Sequence, residues 1–175
     1  LHNQIGHVEK GFYRNEIGLP EIRREGKDIT IVSMSYMSLE AERAAIFLQK
    51  HNISCEIIDL ASIKPLKWEV IYNSVRKTGR LIALDTGSET CSFSAEVISR
   101  VTMNAFKNLK SSPVRIACPD VPCPTSYSLT KEYYPDAKNI ILKIAKMLGI
   151  QFNYTELEEK SIHHDVPGNW FKGPF

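Results

Sequence analysis

The stretch from Asp28 to Leu60 constrains the chain more than any other, because its hydrophobic period changes twice. Ile29, Ile31 and Val32 form a short β-branched run, the pattern of a strand buried on both faces. From Ser38 to His51 the apolar residues Leu39, Ala41, Ala44, Ala45, Phe47 and Leu48 recur at helical spacing. Glu40, Glu42, Arg43, Gln49 and Lys50 fill the other side, which predicts a solvated face. Ser38 is a suitable N-cap, and Glu40 and Glu42 follow where the helix dipole favours negative charge. Asn52 can close the helix in a left-handed conformation, and Ile57 and Ile58 then open a second strand. Two strands joined by a helix of this length run parallel with a right-handed crossover, which fixes an α/β core.

The same logic extends in both directions. Residues 1–16 are polar, without sustained periodicity, and predict a linker from a preceding domain; His2 and His7 read there as solvated. Residues 17–25 hold Pro20 and several charges and suit an edge strand, where such residues block further pairing. The Gly26-Lys27 turn then predicts that this strand lies antiparallel to the one that follows. After the core unit, Ser62 to Leu66 is an extended connector before Pro65. Trp68 to Val75 reads as a helix closed by Gly79, and Arg80 to Asp85 as a buried strand. Thr86 to Ser94 reads as a loop of small polar residues. The apolar positions from Phe93 to Phe106, Met103 included, predict a helix buried around much of its girth. Pro113 to Cys118 is the last strand, and Pro119, Pro122 and Pro124 hold the next segment in a stiff extended path. Ala137 to Leu148 forms a terminal helix that Gly149 stops. The fold class is therefore α/β, and residues 17–149 make one domain followed by an extension over 150–175.

Composition removes several classes of function. With 175 residues, 43% of them hydrophobic, the chain buries one substantial core and has little room for two. A net charge of +2 with interspersed acids and bases gives no nucleic-acid footprint. No apolar run approaches a membrane span, and the first residues do not resemble a secretion signal, so the expected address is the cytosol. Cys55, Cys91, Cys118 and Cys123 lack metal-knuckle spacing and are expected as free thiols. The chain opens on Leu1 rather than Met, and it is expected to be a piece of something longer.

In a sheet of this type, ligands collect beyond the carboxyl ends of the strands. The first connection has no Gly-x-Gly-x-x-Gly turn, and no Gly-rich Lys-Ser/Thr loop occurs, which argues against a nucleotide. Ser33, Ser35 and Ser38 can donate to an anion or simply cap the helix. Asp59 and Asp85 end strands, as acids and bases of α/β enzymes do, yet each can equally accept from a loop amide. Cys91 precedes a helix, a position that favours the thiolate, but no histidine lies between His51 and His163 to partner it. His163, His164 and Asp165 read as a solvated tail, since adjacent residues rarely point at one ion.

Several motifs, in order and at consistent spacing, carry a resemblance. They are Gly26-Lys-Asp-Ile-Thr-Ile-Val-Ser33, Leu39-Glu40-Ala41, Ile58-Asp59-Leu60 with Ile63-Lys64-Pro65-Leu66, Ser74 to Arg80, Phe93-Ser-Ala-Glu96 and Asp120-Val-Pro-Cys-Pro124. Together, from about Ile17 to Leu148, they resemble the C-terminal transketolase-type domain of the beta subunit of thiamine-diphosphate-dependent 2-oxoacid dehydrogenases, pyruvate or branched-chain. The resemblance implies a three-layer α/β/α fold on a mostly parallel five-stranded sheet, with one antiparallel edge strand at Glu21 to Glu25.

What it implies for chemistry is chiefly an absence. Thiamine diphosphate and Mg belong to the parent enzyme and lie between earlier domains, so no catalytic, cofactor-binding or metal-ligating residue is expected here. The domain is expected to assemble: as a homo-oligomer, with the thiamine-binding domains of the alpha subunit and the preceding beta-subunit domain, and with the dihydrolipoyl acyltransferase, but not with nucleic acid or membrane. Two departures stand out. Cys91-Ser92-Phe93-Ser94 replaces the family's Gly-rich stretch, and the chain continues past the family's usual end near Leu148, which would alter acyltransferase docking if the extension folds back. The loops 107–112 and 120–125 are the expected partner-facing surfaces, with Lys110, Ser111, Asp120, Pro122 and Pro124 as the residues concerned. The alternatives are a stand-alone module binding a small anion at the Ser33–Ser38 helix start, and a small enzyme using Cys91.

Overall fold

The computed structural model describes residues 10–130 and 133–152. Its central strand, β2 (Ile29–Ser33), is buried along its whole length, as the β-branched run requires. It pairs in parallel with β3 (Cys55–Asp59) on one side and β4 (Leu81–Ser88) on the other. The antiparallel strand β1 (Glu21–Arg24) adds to β3, and the parallel β5 (Val114–Cys118) adds to β4. The sheet order is β1-β3-β2-β4-β5.

Alternation along the strands sorts the helices into two layers. Ile29, Ile31, Ile57, Ile82, Leu84 and Ile116 face α1 (Tyr36–Lys50) and α5 (Ala137–Leu148). Val32, Ile58, Leu81 and Ala83 face α2 (Trp68–Thr78) and α3 (Phe93–Ala105). A single 3-10 turn, Phe106–Asn108, follows α3, and the four-residue α4 (Tyr127–Thr130) lies between β5 and α5. The expected three-layer α/β/α architecture with one antiparallel edge strand is the one observed. The central strand's buried hydroxyl is satisfied: Thr30 sits 2.6 Å from the Ser74 hydroxyl and 2.7 Å from that of Thr78.

Helix ends follow the local chemistry. Asn52 is left-handed (φ 61°), and Gly79 and Gly149 close α2 and α5 at φ 76° and 68°. Asp136 and Asn139 form a reciprocal capping box at the start of α5.

Four expectations about the elements need correction or refinement. The edge strand runs antiparallel to β2 as expected, but the strand it pairs with is β3, which lies between the two. The chain passes the start of β3 to reach β2: Lys27 and Asp28 both donate to the Ser54 carbonyl (3.3 and 2.9 Å). Gly26 lies there against the Cys55–Glu56 backbone, where a Cβ has no room. Ser38 is not the N-cap. α1 starts three residues earlier with Ser35 at the cap position, and buried Ser38 accepts from the Ser33 hydroxyl at 3.1 Å. Third, β4 runs on through Thr86, Gly87 and Ser88, which were expected in a loop; these three are exposed, so their strand owes nothing to burial. Last, α3 buries only the stripe of Val97, Val101 and Ala105, while Met103 and, just past the helix, Phe106 are 80% and 69% exposed.

Glu40 departs furthest from its expected solvated face, being fully buried. Its carboxylate accepts from Tyr36 Oη (2.7 Å), from the Arg43 guanidinium (3.0 Å) and from the Ala137 amide (2.8 Å). It thereby caps α5 from α1, 97 residues away in sequence.

Candidate functional site

Strand order reverses at β2, with β3 on one side and β4 on the other, so the crevice of an α/β sheet lies beyond the carboxyl ends of β2 and β4. The buried polar groups there already have partners, while exposed Ser35 makes no side-chain cap bond. The buried Ser33 hydroxyl donates to Ser38 Oγ and to the Ile58 carbonyl. Ser38 also hydrogen-bonds Asp59, whose carboxyl burial pushes upward while the Ser38 hydroxyl and Arg23, 3.7 Å away, pull it down. An anion at this helix start would meet two hydroxyls engaged elsewhere and a neighbouring carboxylate. Asp85, three residues before the end of β4 rather than at it, accepts from the amides of Gly87 (2.9 Å) and Ser94 (3.0 Å), which ties β4 to the first turn of α3. That is the loop-amide role, and it is a helix cap delivered from a strand.

The thiol candidates stay apart from any base. Cys91 is exposed and left-handed (φ 60°) two residues before α3. His51, the one histidine among the described residues, stacks on Phe47 and Phe152 at the far end of α1. His2, His7, His163, His164 and Asp165 lie outside the described residues. Cys118 is a buried free thiol that burial pushes above its ordinary range. Cys123 is free and exposed, 3.0 Å from Tyr134 Oη; that hydrogen bond, with some burial, pushes the phenol up to about 12.

The expected partner-facing residues fall into two groups at opposite ends of the sheet. Asp120, Pro122 and Pro124 follow β5 at its carboxyl end. Asp120 accepts from the Thr90 amide (2.8 Å) and hydroxyl (2.5 Å), bonds that hold its carboxyl below the usual range. This clamp pins the proline loop to the β4–α3 connection, and Pro122 stands exposed beside Val121. Leu129 and Tyr134, also exposed, follow in the same connection. Lys110 and Ser111 precede β5 at its amino end. Lys110 donates its amide to the Gly79 carbonyl at 2.8 Å, and its stem crosses the space a Cβ of Gly79 would need. The Ser111 hydroxyl is buried without a hydrogen-bond partner among the described residues.

Sequence reasoning missed Thr90, Leu129 and Tyr134, while Val121 falls in the expected partner-facing loop 120–125. Thr90 and Asp120 are 30 residues apart, and nothing local signals their pairing. Of these exposed apolar residues only Val121 lies in the proline segment; Leu129 and Tyr134 follow it and carry no local signal.

Among the described residues the donor set does not fit thiamine diphosphate with its metal. Mg takes oxygen ligands in octahedral array, at least one or two of them carboxylates. Among the described residues no three His, Cys, Asp or Glu side chains converge. The two carboxylates nearest the crevice are held by Ser38 and Arg23 and by two amides. Among the described residues no helix is long and apolar enough to cross a membrane.

Residues 18–140 match the family described as "Transketolase, C-terminal domain". The chain is 34% identical over 148 residues to the acetoin:2,6-dichlorophenolindophenol oxidoreductase subunit beta of Cupriavidus necator, covering 85% of this chain and 44% of that relative. It is 40% identical over 125 residues to the mitochondrial pyruvate dehydrogenase E1 component subunit beta-1 of Oryza sativa subsp. japonica, covering 71% and 33%. A solved structure, "Split gene transketolase, inactive beta4 tetramer", superposes with a TM-score of 0.64 at 26% identity, over 85% of this chain and 47% of its own. The chain thus spans less than half the length of these relatives.

Proposed function

Since this chain belongs to the transketolase C-terminal domain family, we propose that it is the assembly portion of a beta subunit of a thiamine-diphosphate-dependent 2-oxoacid dehydrogenase or related transketolase-like enzyme. Thiamine diphosphate and Mg are held by other domains of the parent and supply its decarboxylation chemistry. The observation that carries this reading is the match to less than half of each beta-subunit relative, over a domain whose carboxylates nearest the crevice are already engaged. Residues 17–149 are the domain, 1–16 the linker from the preceding one and 150–175 an extension. The proposed place of work is the cytosol, which fractionation checks; some relatives' names, that of rice among them, place them in mitochondria.

The domain contributes rigidity at its contacts. A loop already fixed by three prolines and by the Asp120–Thr90 clamp loses little conformational freedom when a neighbour covers it. Pro122 and Pro124 are proposed to face the thiamine-binding domains of the alpha subunit or of the preceding beta-subunit region. Lys110 and Ser111, at the other end of the sheet, are proposed to face a different neighbour, a second copy or the dihydrolipoyl acyltransferase. The test is Asp120→Ala in the complete enzyme, followed by native mass spectrometry. We expect loss of the assembled species while the melting temperature of the subunit stays within a few degrees. Assembly at the wild-type level would overturn the role of this loop.

A further inference from the structure

The outer surface of the α1/α5 layer is basic and half apolar. Ile46 on α1 and Leu142 on α5 are 50% and 41% exposed, and Lys50, Lys143 and Lys146 stand exposed on the same two helices. The acids of α1 do not offset this charge: Glu42 pairs with Arg24 (3.3 Å), and buried Glu40 is saturated by Arg43, Tyr36 and Ala137. Lys143 and Lys146 have no acidic partner among the described residues.

The chain leaves the described region on this side. After the left-handed turn at Gly149 it returns over α1, where Phe152 packs edge-on to Phe47 (5.8 Å between ring centres) and tilted against His51 (4.8 Å). The next residues, Asn153-Tyr-Thr-Glu-Leu-Glu-Glu-Lys-Ser-Ile162, combine three acids with Tyr154, Leu157 and Ile162. Four extended residues span roughly 13 Å, whereas Ile46 and Lys50 lie about 6 Å apart along the helix. Glu156 therefore comes within reach of the last turns of α1 directly after the Phe152 anchor.

We propose that residues 153–162 are the occupant of this surface, with Glu156, Glu158 and Glu159 opposite Lys50, Lys143 and Lys146 and with Tyr154 and Leu157 over Ile46 and Leu142. The extension then covers a face of its own domain and leaves the two partner-facing loops open. This inference does not depend on the proposed enzyme: it needs only the anchor, the reach and the opposite charges.

The experiment is lysine footprinting with a brief pulse of an amine-reactive reagent on the full-length protein, with Lys107 as internal reference. In Glu156→Lys/Glu158→Lys/Glu159→Lys protein, the labelling rates of Lys143 and Lys146 are expected to rise about two- to five-fold, the range a surface ion-pair network supports. The same rise is expected for the wild type in high salt, since screening weakens such contacts. Adding Lys143→Glu and Lys146→Glu to the reversed tail is expected to restore protection of Lys50, which separates a charge contact from misfolding. Unchanged rates in the tail variant overturn the proposal. So does protection that disappears on dilution, which would give the surface to a second copy of the chain.

Discussion

Replacing Glu40 by Ala probes how the last helix is fastened to the core. The carboxylate is fully buried and accepts from three groups, Tyr36, Arg43 and the Ala137 amide, at 2.7–3.1 Å. Arg43 is partly exposed and returns to water when its partner goes, so it adds little to the cost. The Ala137 amide, at the first turn of α5, is left buried without an acceptor. The Tyr36 phenol, which burial and then the Glu40 charge push well above its ordinary range, stays a proton donor and loses its acceptor as well. A donor that loses its buried acceptor costs about 1–3 kcal/mol, and the substitution takes the acceptor from two, the Ala137 amide and the Tyr36 phenol. We expect a loss of about 3–4 kcal/mol for Glu40→Ala in urea unfolding followed by circular dichroism. Glu40→Gln keeps a carbonyl for the Ala137 amide and should lose about half as much. Amide exchange of residues 137–141 should accelerate before that of β2. A Glu40→Ala protein within about 1 kcal/mol of wild type, or one indistinguishable from Glu40→Gln, would refute the reasoning.

Gly26→Ala sets a Cβ into the Cys55–Glu56 backbone, 2.6 Å from the Cys55 carbonyl oxygen, and should cost about 1–3 kcal/mol, or several degrees in a thermal melt. Glu56 is buried and, although burial raises its pKa, the Lys77 ammonium, Ser74 and the Gly26 amide outweigh that and hold it below the ordinary value of 4.5. A carboxyl lowered by folding stabilises above its unfolded pKa and loses that contribution as pH falls through the folded one. Glu56→Gln should therefore be less stable at neutral pH by about 1–2 kcal/mol, with the difference narrowing only below about pH 4.5, as melts across pH 3–7 would show. Asp85→Ala removes the acceptor for the Gly87 and Ser94 amides and should cost about 1–2 kcal/mol, with the first turn of α3 exchanging fastest.

Much of the fold was legible because its signals are local. The β-branched run at 29–32, the 3.6-residue period of α1 and α5 and the closing residues Asn52, Gly79 and Gly149 each act within a few positions, and the helix and strand they imply are there. What local pattern cannot carry is a contact between distant residues. The turn at Gly26-Lys27 looks like a hairpin because nothing in it reveals that β3, thirty residues on, will lie between the two strands. Glu40 looks solvated because its partner amide is that of Ala137, and Ser38 looks like a cap because the Ser33 hydroxyl that meets it sits on a strand. Met103 and Phe106 illustrate the reverse: their hydrophobicity argues for burial, but the inner stripe of α3 is already filled by Val97, Val101 and Ala105. For the candidate surface, the prolines marked a stiff loop after β5, whereas the Thr90 clamp that orients it, and its separation from Lys110 and Ser111 by the length of the sheet, emerge only from the fold.

The division of labour between this domain and the cofactor-binding domains is tested most directly by titration calorimetry with thiamine diphosphate and Mg, run on the isolated domain and on the complete alpha–beta enzyme. The account predicts saturable heat from the complete enzyme and none from the domain. Tight binding by the domain alone would contradict it.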